Sequence, residues 1–166
     1  GKKRVHTTFD HLYSWNFIRS PSAVMIRKTC LDDVGYFDEA LVQASDYELF
    51  LRLAKKYDFA YLDELLTKYR VHDYNLSLNL DFKIKCHQYI FHKREISEGK
   101  PWWEVRTRIA RTSYNVARYN MNEHNYSNAF RKYLMALFYS PWVGKYYWPR
   151  ESKNFRFTLP YRILKV

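Results

Sequence analysis

Apolar residues recur along the chain in different rhythms, and each rhythm predicts a different element. Phe9, Leu12 and Tyr13 share one side of a short helix over residues 7–14, and Ser20-Pro21 then breaks the chain. Residues 22–26 (SAVMI) form a brief continuous apolar run closed by Arg27 and Lys28, the pattern of a buried strand. Residues 29–34 predict a short helix with Thr29 as its cap and Gly35 as a left-handed stop, followed by a loop over 35–39. The clearest pattern starts at Ser45. Tyr47, Phe50, Leu51 and Ala54 fall at i, i+3, i+4 and i+7, and Leu49 and Leu53 widen that stripe. Ser45 followed by Glu48 reads as a capping box, with Ser45 as N-cap and Asp46 as the first helical residue. Residues 58–62 and 65–71 then predict two short strands.

Beyond Leu80 the pattern is helical throughout, with helices predicted over 81–98, 102–122 and 125–139. Gly99-Lys100-Pro101 separates the first two, and Pro141 ends the third. In the second, Trp102, Val105, Ile109, Thr112, Val116 and Tyr119 recur at spacings of three and four, while Arg108, Arg111 and Arg118 occupy another face. That face either grips phosphates or a polymer together with Tyr114 and Tyr119 or, as the commoner case, is a solvated charged face. In the third, Tyr126, Ala129, Phe130, Tyr133 and Leu137 make the stripe. Residues 140–166 carry three prolines and many aromatics and predict an irregular tail on the surface.

Composition narrows the class. The chain has 166 residues, enough for one domain, and 47% of them are apolar, so a core can form and the chain is not a disordered tail. With 16 tyrosines and 11 phenylalanines, part of the aromatic set is expected on grooves or half-buried surfaces. A net charge of +11 favours anionic partners: phosphorylated substrates, acidic headgroups or nucleic acid. Cys30 and Cys86 are far apart and belong to no CxxC pair, which points to two reduced, buried thiols rather than a zinc ribbon or a disulfide framework. No apolar stretch approaches the ~20 residues of a membrane span, and the first segment lacks the apolar region of a signal peptide. Gly1 in place of an initiating Met points to a longer polypeptide.

Candidate chemistry concentrates in residues 44–77. Asp46, at a helix start, is favoured as a charged carboxylate by the dipole and the free amides. It either improves that start or acts as a general base toward an attacking hydroxyl. Arg70 and His72 alternate with Tyr69 and Val71 on a strand-like segment and so share a face. A guanidinium beside an imidazole suits a diphosphate or a metal ion carrying one, although a solvated strand end has the same pattern. Asn75 and Ser77 extend that polar stretch. His87 and His92, five apart, do not share a helical face. His92 and Glu95 do, but no second pair completes a metal site.

Taken in order, Asn16-Phe17-Ile18, the run Ser22 to Arg27, Val34-Gly35-Tyr36-Phe37-Asp38-Glu39, Ser45-Asp46-Tyr47-Glu48-Leu49-Phe50-Leu51-Arg52-Leu53, and Tyr69-Arg70-Val71-His72 with Asn75 and Ser77 resemble the C-terminal half of the catalytic domain of inverting family 2 glycosyltransferases. The resemblance covers about a third of the chain. It implies an α/β fold: the C-terminal half of a nucleotide-diphospho-sugar transferase domain of type A over residues 1–80, followed by an all-α extension over 81–166 with an aromatic tail. It places Asp46 at the catalytic base, where many members have Glu-Asp and this chain has Ser-Asp. Arg70, His72, Arg52 and Asn75 fall to the substrate and its diphosphate, with Arg52 bracing the base helix and His72 assisting the metal. A divalent cation, Mg or Mn, is implied, held mostly by the half of the domain that carries Asp-x-Asp. No such motif occurs before residue 22, so these residues alone are expected to bind donor poorly and to transfer nothing.

The implied reaction is attack of an acceptor hydroxyl on a nucleotide-sugar with inversion at the anomeric carbon, in polysaccharide or glycoconjugate assembly. The implied partners are a nucleotide-sugar donor and a glycan or lipid-linked acceptor. Localisation is expected to be cytoplasmic, with the basic helical part resting on the anionic inner face of the cell membrane. A fainter resemblance joins Ala117, Tyr126, Ala129, Tyr133, Ala136 and Pro141 to one tetratricopeptide unit, so a helical interaction module is the second reading. Nucleic-acid binding is the third. It is not expected, because no reader motif accompanies the charge.

Overall fold

The computed structural model describes residues 9–18, 20–60, 67 and 79–141. Among them 68% are helical and none is in a strand. The helices are α1 (Phe9–Ser14), α2 (Lys28–Val34), α3 (Ser45–Ala54), α4 (Leu80–His92), α5 (Arg94–Ser97), α6 (Trp102–Asn122) and α7 (Tyr126–Tyr139). The chain divides into two compact units, Gly1–Phe82 with Arg94–Ile96, and Lys83–Lys93 with Ser97–Val166.

In the first unit α3 is the buried element. Tyr47, Leu49, Phe50, Leu51 and Leu53 are all buried, so the apolar stripe has widened to most of the circumference. It packs on α1, whose Leu12 and Tyr13 have no exposed surface. The Tyr47 hydroxyl ties the two together by donating to the Leu12 carbonyl at 3.0 Å. Lys55, just past α3, stands 5.1 Å over the Phe9 ring and donates to the Glu95 carbonyl.

α2 ends because Gly35 turns the chain at φ 86, ψ 166, a region that only glycine occupies readily. Its amide still donates to the Leu31 carbonyl at 2.8 Å. A Cβ at this position would sit 3.4 Å from Nη1 of Arg52. Gly35→Ala is therefore expected to destabilise the fold by about 1–3 kcal/mol, read as a lower urea midpoint. An unchanged midpoint would contradict the assignment.

The α/β expectation is corrected here. Residues 22–26 are not a buried strand: Pro21–Ala23 form a single 3₁₀ turn, capped by the Ser20 hydroxyl accepting from the Ser22 amide at 3.3 Å. Val24 is extended, but Met25 is 99% exposed. The Thr67 hydroxyl donates to the Ser22 carbonyl at 3.5 Å, and among the described residues no backbone ladder joins this run. A strand is defined by such a ladder, and an apolar run without one stays an unpaired extended stretch. Residues 58–60 are irregular, and the rest of the 58–62 and 65–71 segments, apart from Thr67, lies outside the described residues. The architecture is thus helical where described, and the half-domain of a type A glycosyltransferase, which would carry strands here, is not what these residues build.

In the second unit α6 and α7 form an antiparallel hairpin. Residues 123–125 turn the chain, with His124 left-handed at φ 58 and the Asn125 side chain accepting from the Asn128 amide to start α7. Small residues let the helices approach: Ala110, Ala117 and Ala136 lie in the seam, with Tyr114 and Tyr133 filling the space beside them. Arg106 closes the far end by donating from Nε to the Tyr139 carbonyl (3.0 Å) and from Nη2 to the Phe138 carbonyl (2.7 Å), which are orphan acceptors at the end of α7. The helix expected over 81–98 breaks at Lys93, whose amide bonds to both Tyr89 and Ile90 carbonyls. The Arg108–Arg111–Arg118 face is not a solvated one: Arg108 and Arg111 are buried, and the Arg108 guanidinium lies 5.1 Å from the Phe91 ring centroid. The apolar stems of long cations allow such burial.

Candidate functional site

The site is assembled around the first turn of α3. Ala44 precedes it in the left-handed region, φ 62, ψ 18, which costs a residue with a Cβ about 1–2 kcal/mol. Its carbonyl accepts the Glu48 amide at 3.1 Å, so Ala44, not Ser45, is the N-cap. The capping box does not form. Glu48 is fully buried and turns to Arg52, one helical turn on, with Nη2–Oε2 at 2.9 Å. A charged guanidinium within i,i+4 reach is a stronger partner than a neutral amide behind.

Arg52 commits all of its five N–H groups within this cluster. Nε bonds both Glu48 oxygens at 3.0 and 3.1 Å, and Nη2 bonds Glu48 and the Tyr36 carbonyl at 2.9 and 2.5 Å. Nη1 donates to the carbonyls of Val34 and, at 3.2 Å, Gly35. The result is a clamp that fixes α3 against the 34–36 turn. Arg52 faces that turn. Glu48 was missed as a working residue because the capping-box spacing masked it. The Glu48–Arg52 spacing of four was the signal that could have found it.

Asp46 sits on the second residue of the helix so held. It is half-buried, and its Oδ1 accepts the Tyr47 amide at 2.8 Å. Among the described residues no side chain bonds its other oxygen, which leaves that oxygen able to accept a proton. Two other carboxylates of this unit are engaged. Asp32 pairs with Lys28 at 3.0 Å and accepts from the Tyr36 hydroxyl at 2.8 Å. Asp33 pairs with Lys56 at 2.9 Å and accepts from Tyr57 at 2.8 Å. The Lys56 bond, then the Tyr57 bond, hold the Asp33 carboxyl below the usual range, and the same contact raises the Tyr57 phenol.

The structure thus brings Asp46 and Arg52 onto one braced helix. Arg70, His72, Asn75 and Ser77 lie outside the described residues. Among the described residues no group of three or more His, Cys, Asp or Glu converges to hold a metal ion, and His72, the residue of this chain expected to assist the cation, lies outside them. His92 is exposed, with Nδ1 2.7 Å from the Gln88 carbonyl, and Glu95 lies beyond the break at Lys93, so the two share no continuous face. His87 is buried, with Nδ1 2.9 Å from the Thr112 hydroxyl. Burial, then the nearby Lys83 and Arg108 charges, push its pKa down to about 3, so the ring is neutral at physiological pH. Among the described residues no helix is long and apolar enough to cross a membrane. Compared with models of known protein families, with curated proteins and with solved structures, the chain matches none.

Proposed function

We propose that the chain supplies the acceptor side of a sugar-transfer site, with Asp46 as the general base. The observation that supports this most is the placement of the Asp46 carboxylate. One oxygen is oriented by the Tyr47 amide, the other is open, and the carrying helix is locked by the buried Glu48–Arg52 pair. A strained Ala44 two residues earlier supports it too, because strain at a helix mouth is kept where geometry matters. The reading stands on these residues and calls on no type A fold.

In such a transfer the acceptor oxygen bonds to the anomeric carbon from one face while the bond to the leaving diphosphate breaks on the other. The hydroxyl proton passes to the open oxygen of Asp46. Arg70 and His72 are the candidates to meet the departing diphosphate. The test is Asp46→Asn in the native polypeptide, assayed for transfer from a nucleotide-sugar. Asparagine keeps an oxygen for the Tyr47 amide and is as good at a helix start as aspartate, but it cannot take the proton. The rate is expected to fall by roughly a hundredfold or more, while an undiminished rate would remove Asp46 from the chemistry.

A further inference from the structure

We infer that the outer face of α7, together with the aromatic end of the α6–α7 hairpin, docks on an anionic lipid surface. This is independent of the sugar-transfer reading. Phe130, Leu134 and Phe138 recur at i, i+4 and i+8 and are 41%, 49% and 74% exposed. The opposite side of the same helix carries Ala129, Tyr133 and Ala136, all buried. A helix that packs on one side and is apolar on the other has a second surface to satisfy.

The stripe continues onto α6. Trp102 and Trp103, at its start, are 73% and 54% exposed. Arg106, one turn further, holds the Phe138 and Tyr139 carbonyls and lies 5.7 Å from the Phe138 ring centroid, so the two tryptophans stand at the end of the hairpin where Phe138 emerges. Tryptophan, phenylalanine and leucine on one face, with a guanidinium among them, match the boundary between acyl chains and headgroups.

Charge decides between occupants. Over residues 83–93 and 97–141, lysines and arginines outnumber acids ten to three. Arg108, Arg111 and Lys132 are buried, so the surplus left at the surface is seven to three, and Arg131 is exposed on the stripe's own flank. Anionic headgroups complement that surplus. A second copy of the chain brings the same surplus and would be repelled.

The experiment is sedimentation of the 166-residue chain with vesicles of phosphatidylcholine alone and with phosphatidylserine added. The phosphatidylserine vesicles are expected to carry the chain down, and the neutral ones to carry far less. Leu134→Ser with Phe138→Ser is expected to weaken the binding by about tenfold or more, and Arg131→Glu to weaken it less. Because these side chains are exposed, far-UV circular dichroism should be unchanged in each variant. Binding that the double variant does not weaken, or no binding to the anionic vesicles, would overturn the inference. So would a doubling of solution mass that the same double variant abolishes, since the face would then belong to a second copy.

Discussion

Arg52→Ala is expected to lower the unfolding free energy by about 3–5 kcal/mol, the usual cost of removing one member of a buried ion pair. Glu48 is fully buried and would lose its guanidinium. The Val34, Gly35 and Tyr36 carbonyls would lose their donor at the same time. Arg52→Lys should recover only part of the loss, because an ammonium cannot reproduce a fork that reaches a carboxylate and three carbonyls together. Replacing both partners, Glu48→Met with Arg52→Met, should cost less than Arg52→Ala alone, because no buried charge is left behind. Urea midpoints of the three variants, set beside that of the native chain, check this. A loss below about 1 kcal/mol for Arg52→Ala would mean that the clamp is a surface ornament and that α3 is held by its apolar stripe alone.

Acidification is expected to weaken the protein through His87. The folded pKa lies near 3, below the ordinary value of 6.5, so the unfolded chain binds the extra proton first as the pH falls. The contribution is therefore fully present above pH 6.5 and is lost progressively between 6.5 and 3. The slope is about 1.4 kcal/mol per pH unit, or roughly 3 kcal/mol by pH 4. Lys83 and Arg108 act in the same direction as burial, since both disfavour a charged ring. Denaturant midpoints at pH 7 and pH 4.5 should diverge for the native chain and converge in part for His87→Gln. Identical shifts in both would show that His87 carries none of the acid sensitivity.

The long helices were legible because their pattern repeats often enough to overrule local noise. Tyr47, Phe50 and Leu51 marked α3, and the spacings in 102–122 and 125–139 marked α6 and α7, each within about a residue of where it lies. The short elements were not legible in the same way. Ser22 to Ile26 has the composition of a strand, but a strand exists only in a backbone ladder, and none is formed among the described residues, where Pro21–Ala23 take up a 3₁₀ turn instead. Lys93 breaks a helix that the periodicity runs straight through. Arg108 and Arg111 looked solvated because a charge pattern does not reveal what packs beside it, for Arg108 the Phe91 ring.

The site divides along the same line. Asp46 was legible from its place at a helix start, a local property. The role of Glu48 was hidden because two local rules competed for its side chain. Arg52 reaches carbonyls sixteen to eighteen residues earlier, and no pattern within a helix encodes that. Arg70, His72 and Asn75, outside the described residues, rest on sequence alone.

The measurement that bears most directly on the central claim is the transfer rate of Asp46→Asn set beside that of Asp46→Ala, in native polypeptides matched for unfolding midpoint. If Asp46 is the base, both should fall by a similar factor of about a hundred or more, although asparagine keeps the bond to the Tyr47 amide and alanine does not. If the Asn variant keeps the native rate and only the Ala variant loses activity or stability, the residue starts a helix and does nothing more.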